Sequence, residues 1–208
     1  MKHRIARYCL ILLAVGTAGV RVSAADCQYA EAMKTHWART RKMLTAIVAA
    51  MPEDKWDYRP VKEVRSFREM VHHLVEDGYS HIGYVKGMSR EESGKLTDKY
   101  KNVKSKADLL KALNESYDYG DKVLGELTDQ NAMELVAGMR AERMTRVEAA
   151  LVAFEDQMDH YGNFVVYLRI NGVVPPSTVN AEAERKANLE KSKKEQEVEM
   201  PPDMGHHH

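Results

Sequence analysis

Asp156-Gln157-Met158-Asp159-His160-Tyr161-Gly162-Asn163-Phe164-Val165-Val166-Tyr167-Leu168-Arg169-Ile170-Asn171-Gly172-Val173-Val174-Pro175-Pro176 is the stretch on which the fold turns. It has the composition of a helix, and Asn171-Gly172 followed by two prolines stops that helix. Asp156 and His160 are spaced i,i+4, so they share one side of the helix about one turn apart. A second informative stretch lies upstream, Ser66-Phe67-Arg68-Glu69-Met70-Val71-His72-His73-Leu74-Val75-Glu76. Ser66 and Glu69 form a capping box, and Phe67, Met70, Val71, Leu74, Gly78, Ile82 and Val85 follow at helical spacing.

Outward from these two segments the chain remains helical. A first helix is expected over about 27–50, with Met33, Trp37, Met43 or Leu44, and Ile47 on its apolar face. Met51-Pro52 ends it, and Lys55-Trp56-Asp57-Tyr58-Arg59-Pro60 is a connection whose aromatics cover one end of a bundle. The second helix spans about 66–87. The third starts at Ser105 and uses Leu109, Leu113, Tyr117, Val123 and Leu124. Residues 128–144 are less periodic and read as a long connection or lid. Thr145 and Glu148 cap the fourth helix, which runs to Ile170. No alternating apolar run is long enough for a sheet. The expected class is all-α: a four-helix bundle of antiparallel type with a charged C-terminal tail.

The ends of the chain read differently. Lys2, Arg4 and Arg7 precede an apolar run from Tyr8 to Val20, and Val22-Ser23-Ala24-Ala25 has small residues suited to cleavage, the layout of an export signal over 1–25. The run is short for a membrane span, and no stable span is expected once the signal is cleaved. The domain then occupies 26–177. From 178 to 208 the chain is rich in Glu and Lys with few apolar residues, read as disorder or a solvated helix. His206, His207 and His208 can bind metal weakly and stay outside the site argument. The whole chain has 31 basic and 31 acidic residues; loss of Lys2, Arg4, Arg7 and Arg21 leaves 27 against 31, a net charge of −4. That balance gives no footprint for nucleic acid. Cys9 falls in the signal, so Cys27 stands alone and no internal disulfide framework is expected.

The residues that carry chemistry are histidines and one acid. His73, Asp156 and His160 are the candidate metal ligands, on the second and fourth helices. Two neutral imidazoles and a carboxylate suit zinc, nickel or ferrous iron and leave positions open for water or substrate. A plain surface role for Asp156, favoured by the helix dipole, is the competing reading. His72 is expected in solvent, His81 as a satisfied core histidine, and His36 has nothing specific in its favour. On the fourth helix, Phe154, Met158, Tyr161, Val165 and Leu168 read as the apolar stripe, with Asp156 and His160 on a second stripe beside Tyr167 and Asn163. Asn163, Tyr167 and Arg169 are candidates to touch the ligands or a substrate. No nucleophile triad, phosphate loop or paired-cysteine metal spacing is present.

The chain resembles the DinB-like superfamily of four-helix-bundle metalloproteins over about 30–177. The resemblance rests on Trp56-Asp57-Tyr58-Arg59-Pro60, on Ser66-Phe67-Arg68-Glu69 leading to His73, and on Tyr167-Leu168-Arg169-Ile170-Asn171-Gly172-Val173-Val174-Pro175-Pro176. It implies a divalent metal held by a histidine on the second helix, matched by His73, and a His-x-x-x-His pair on the last. His160 matches the later member of that pair, and Asp156 stands where the earlier histidine usually is. Asp159, Tyr161 and Asn163 replace the usual His, Arg and Gln around Gly162. The activities implied by the resemblance are those of thiol-dependent transferases and isomerases; the open metal positions themselves suit a hydrolase or transferase acting on a small molecule, and a homodimer is possible. The alternative is a binding or scaffold protein on a bundle whose metal site has degenerated.

Overall fold

The computed structural model describes residues 28–138 and 143–199, with side chains over 30–138 and 143–195. The export signal, Cys27 and the terminal histidines fall outside the described residues. Four long helices form the bundle: α1 (Gln28–Ala50), α2 (Phe67–Val85), α4 (Lys106–Gly125) and α5 (Arg146–Ile170). Two shorter or peripheral helices join them, α3 (Arg90–Lys95) and α6 (Pro176–Glu199). Among the described residues, no helix is long and apolar enough to cross a membrane.

The helix starts follow local chemistry. Ser66 and Thr145 cap α2 and α5 in complete capping boxes with Glu69 and Glu148, and Ser105 accepts from the Asp108 N–H at the start of α4. A third box, Ser89 with Glu92, starts α3. At the far end of α5, Gly172 adopts a φ of 73°, a left-handed stop that glycine takes without a Cβ penalty.

Helix directions depart from the antiparallel expectation. α2 packs on both α4 and α5, and α1 packs on the same two helices, so α1 and α2 lie diagonally across the bundle. Phe67 meets Phe164, and Arg146 donates to the Val85 carbonyl, which sets α2 and α5 antiparallel. Arg68 donates to the Lys104 carbonyl just before α4, while the Tyr79 ring meets the Tyr119 ring in a tilted contact, which sets α2 and α4 parallel. The reason is the long link between α2 and α4. Residues 86–105, with α3 inside them, carry the chain back along the bundle, and the His72 ring bonds the Tyr100 carbonyl at 2.8 Å on the way.

The core is centred on Trp37, Leu44, Ile47, Phe67, Leu74, Leu113, Tyr117 and Phe164, all fully buried. Trp37 lies so close to α4 that a Cβ on Gly120 would sit 2.2 Å from its ring, which explains the glycine there. Its indole N–H donates to the Tyr117 carbonyl, and the Tyr117 hydroxyl donates to Gln157 Oε1 at 2.7 Å, a buried polar link from α1 through α4 to α5.

The Trp56–Pro60 connection is a clasp. Trp56 is fully buried and its N–H donates to the Met51 carbonyl. Asp57 pairs with Arg68, and Arg59 forms a two-oxygen contact with Glu69. The residues on either side of α2's first turn are thereby fixed, which positions His73 one and a half turns further on.

Two further sequence expectations need correction. The stretch expected as an irregular connection contains a two-stranded antiparallel ribbon, β1 (Leu135–Ala137) with β2 (Arg143–Thr145), Val136 opposite Met144. The buried face of α5 runs through Ala149, Ala153, Gln157, His160, Phe164 and Tyr167, whereas Met158 is exposed. Small and polar residues occupy the middle of this face, so counting apolar side chains rotated the expected stripe. The charged tail takes the second of its two expected forms, a helix over Pro176–Glu199, solvated along most of its length and resting on α1 at its start.

Candidate metal centre

α2 and α5 cross with a row of polar side chains between them. His73, Asp77 and His81 recur every four residues on α2, so one face of that helix carries all three. Asp156 and His160 face them from α5. His73 Nε2 lies 2.9 Å from Asp77 Oδ2, and the same oxygen lies 3.3 Å from His160 Nε2. The rings of His73 and His160 meet edge to face with centroids 5.0 Å apart. Ligand atoms of His73, Asp77 and His160 all fall within 4.8 Å of one another, so small side-chain rotations bring them to the spacing of ligands on a single divalent ion.

Asp156 stands next in the row. Its Oδ1 is 3.7 Å from His160 Nε2, and its Oδ2 is 3.4 Å from His81 Nδ1. The candidate ligands His73 and His160 are thus brought together. Asp156 adjoins them rather than closing the tightest group, and Asp77 takes that place. The signal for Asp77 was present in the sequence: it stands at i+4 from His73, the spacing that links Asp156 to His160. His81 is buried, and its Nδ1 has no hydrogen-bond partner, so it is not the satisfied core histidine expected. His36 is exposed against Phe154, away from the centre.

The electrostatics favour a charged Asp77–His160 pair. Burial works against ionisation of Asp77, but hydrogen bonds from His160 and His73 and the nearby His73 and His81 charges outweigh it, holding its carboxyl far below the usual carboxylate range. Burial likewise opposes a charged His160; the Asp77 hydrogen bond and the Asp156, Asp77 and Asp159 carboxylates overcome it and raise its pKa.

The centre opens on two sides. One cleft, about 640 Å³, has His160, Asp159, Asn163, Tyr167, Arg65 and Glu63 on its walls. Another, about 360 Å³, exposes His73 and Asp77 beside Ser80, Arg90 and Lys101. Tyr167 and Asn163 line the first cleft. The Tyr167 hydroxyl donates to the Arg65 carbonyl at 2.5 Å, which ties the cleft wall to the loop before α2. Asn163 donates to the Asp159 carbonyl and carboxylate. Arg169 is turned away and donates to Thr178 at 3.1 Å, serving the α5–α6 corner.

The donor set fits a divalent metal. Two imidazoles and one carboxylate leave coordination positions free, the pattern of open zinc sites and of ferrous sites. One departure is notable: His160 Nδ1 is buried without the outer partner that a metal-bound histidine ordinarily has.

The model of the DinB superfamily matches residues 36–163, and the chain belongs to that superfamily. Solved structures with the same fold include a DinB-like protein, YjoA, from Bacillus subtilis, 19% identical, covering 68% of this chain and 92% of that one with a TM-score of 0.55. A DinB-like protein from Bacillus cereus is 13% identical, with 70% and 95% covered and a TM-score of 0.60. YfiT from Bacillus subtilis, described as a probable metal-dependent hydrolase with an unusual four-helix bundle topology, is 17% identical, with 74% and 93% covered and a TM-score of 0.55. At these identities the likeness is one of fold. No curated protein matches the chain.

Proposed function

We propose that this protein is an exported, divalent-metal-dependent hydrolase of small molecules, with zinc, nickel or iron held by His73, Asp77 and His160 and with Asp156 at its edge. The observation that carries this reading is the gathering of three ligand atoms within 4.8 Å where the α2–α5 seam meets an open cleft. The description of YfiT as a probable metal-dependent hydrolase supports it. A bound ion of this kind supplies Lewis acidity toward water or a substrate carbonyl. The chain's own groups do the rest. Asp156 offers a partly buried carboxylate beside His160, placed to take a proton within the seam. Tyr167, fixed by its bond to Arg65, and Asn163, fixed by Asp159, form a rigid wall against which a substrate is oriented. A thiol-dependent transfer would use the same open positions, but small thiols of that kind are mainly intracellular, and export favours hydrolysis.

A second reading has one observation in its favour. The His73–Asp77 and His160–Asp77 contacts form a self-contained ion-pair network, which a non-catalytic binding or scaffold protein would also present. The two readings separate on metal content. Protein purified without an affinity tag, with His206, His207 and His208 each replaced by Ser, should retain divalent metal after dialysis and should hydrolyse members of an ester and amide panel only when metal is present. Absence of both would leave the scaffold reading.

A further inference from the structure

Resting on the metal reading above, the unused end of the polar row carries a further step. A three-ligand centre built on His73, Asp77 and His160 leaves His81 and the Oδ2 of Asp156 outside it. Neither is an idle surface group. The His81 side chain is 8% exposed, and its Nδ1 is buried with no hydrogen-bond partner; Asp156 Oδ2 is buried and unpartnered as well. Buried polar atoms without partners are uncommon, and each needs a cause.

These two atoms face each other at 3.4 Å. That is long for a hydrogen bond between an imidazole and a carboxylate. In the same seam His73 Nε2 approaches Asp77 at 2.9 Å, and His72 Nε2 approaches the Tyr100 carbonyl at 2.8 Å. It is, however, the separation of two ligands on one ion: bonds of 2.0–2.2 Å in tetrahedral geometry put ligand atoms about 3.3–3.6 Å apart. The Asp156 carboxylate also points two ways, Oδ1 toward His160 and Oδ2 toward His81. A carboxylate that addresses two imidazoles from its two oxygens is placed to bridge neighbouring cations, which in two-metal centres stand about 3.5–4 Å apart.

We propose that His81 and Asp156 hold a second divalent cation beside the one held by His73, Asp77 and His160, making the α2–α5 seam a two-metal centre with Asp156 as its bridge. Water fills the coordination positions that these two residues leave open. In this arrangement the repeat His73-x-x-x-Asp77-x-x-x-His81 is one ligand ladder, and Asp156-x-x-x-His160 is its antiparallel counterpart.

Cobalt(II) titration of the metal-stripped chain tests this, again with His206, His207 and His208 replaced by Ser. Bound cobalt is counted by equilibrium dialysis with elemental analysis, and electron paramagnetic resonance reports whether neighbouring ions are magnetically coupled. The expected result is two equivalents with coupled spins in the parent protein. His81→Gln and Asp156→Asn should each bind one equivalent, uncoupled, with helical circular dichroism retained. A parent protein that binds one equivalent overturns the second site and leaves the metal reading standing; one that binds none overturns both. Two equivalents that persist in both variants also overturn it, because the second ion then lies elsewhere. Where a variant fails to fold, the parent decides: coupled spins support the bridge, and two uncoupled ions contradict it.

Discussion

Asp77 Oδ2 on α2 lies 3.3 Å from His160 Nε2 on α5, and that contact joins the two helices at the candidate centre. It puts Asp77 in the place that the i,i+4 pairing on α5 alone would give to Asp156, and the proposed centre takes Asp77 as its carboxylate ligand. Removal of either acid should therefore have unequal effects. Asp77→Ala should weaken binding of the first zinc equivalent by more than 100-fold. Asp156→Ala should weaken it by roughly 10–100-fold, the range for groups that support a ligand. Isothermal titration of both variants checks the order, and the reverse order would return Asp156 to the first position.

The same acid can be replaced by the residue usual in the family. Asp156→His places a third imidazole beside His160 and should tighten the first zinc or nickel equivalent. Competition with a chromophoric chelator measures this. An unchanged affinity would mean that position 156 does not reach the first ion.

Protonation links the centre to stability, and the two shifts act in opposite directions. The Asp77 carboxyl is held below its ordinary value, so its contribution is present above the unfolded pKa of about 3.9 and is lost as pH falls through the folded one. The His160 pKa is raised, so its contribution is complete below about 6.5 and is lost as pH rises through the folded value. In metal-free protein the Tm advantage over His160→Gln should be largest between about pH 4 and 6.5 and should shrink toward pH 9. An advantage that grows with pH would contradict the assignment. Metal requires neutral imidazole, so zinc affinity should decline as pH falls through the raised His160 pKa, a decline that starts above 6.5.

Packing makes a prediction independent of metal. A Cβ on Gly120 would meet Trp37 ring atoms at 2.2, 2.3 and 2.6 Å, so Gly120→Ala should destabilise the fold by about 1–3 kcal/mol or more. Gly162 is also in a helix, but a Cβ there meets nothing within 4 Å, and Gly162→Ala should stabilise by roughly 0.5–1 kcal/mol. Denaturant midpoints of the pair check both signs. A stabilising Gly120→Ala would mean that Trp37 is not seated against α4.

Much of this architecture was legible in the residues. Ser66–Glu69 and Thr145–Glu148 marked the starts of α2 and α5 because a capping box is a local, reciprocal hydrogen-bond pattern. Gly172 marked the end of α5 for an equally local reason. What local signals do not hold is direction and depth. The parallel course of α2 and α4 depends on a 20-residue return path whose docking, through Tyr100 against His72 and Tyr79, is tertiary. The buried face of α5 was obscured because Ala153, Gln157 and His160 occupy it while Met158, Val166 and Ile170 face out. Asp77 was legible only in part: its i+4 spacing from His73 is local, but its partner His160 is 83 residues away, and spacing alone does not tell a ligand from an acid on a half-polar helix. The ribbon strands of three residues each are too short for an alternating pattern to register.

The central claim, that His73, Asp77 and His160 hold a divalent metal, is tested most directly by elemental analysis of protein carrying Ser at 206, 207 and 208. After dialysis against metal-free buffer the parent protein should retain at least one equivalent of zinc, nickel or iron. His73→Ala and His160→Ala should each retain less than about a tenth of it while keeping the helical circular dichroism of the parent. Metal-free parent protein that also fails to take up added zinc, or a parent and variants that retain equal amounts, would contradict the account.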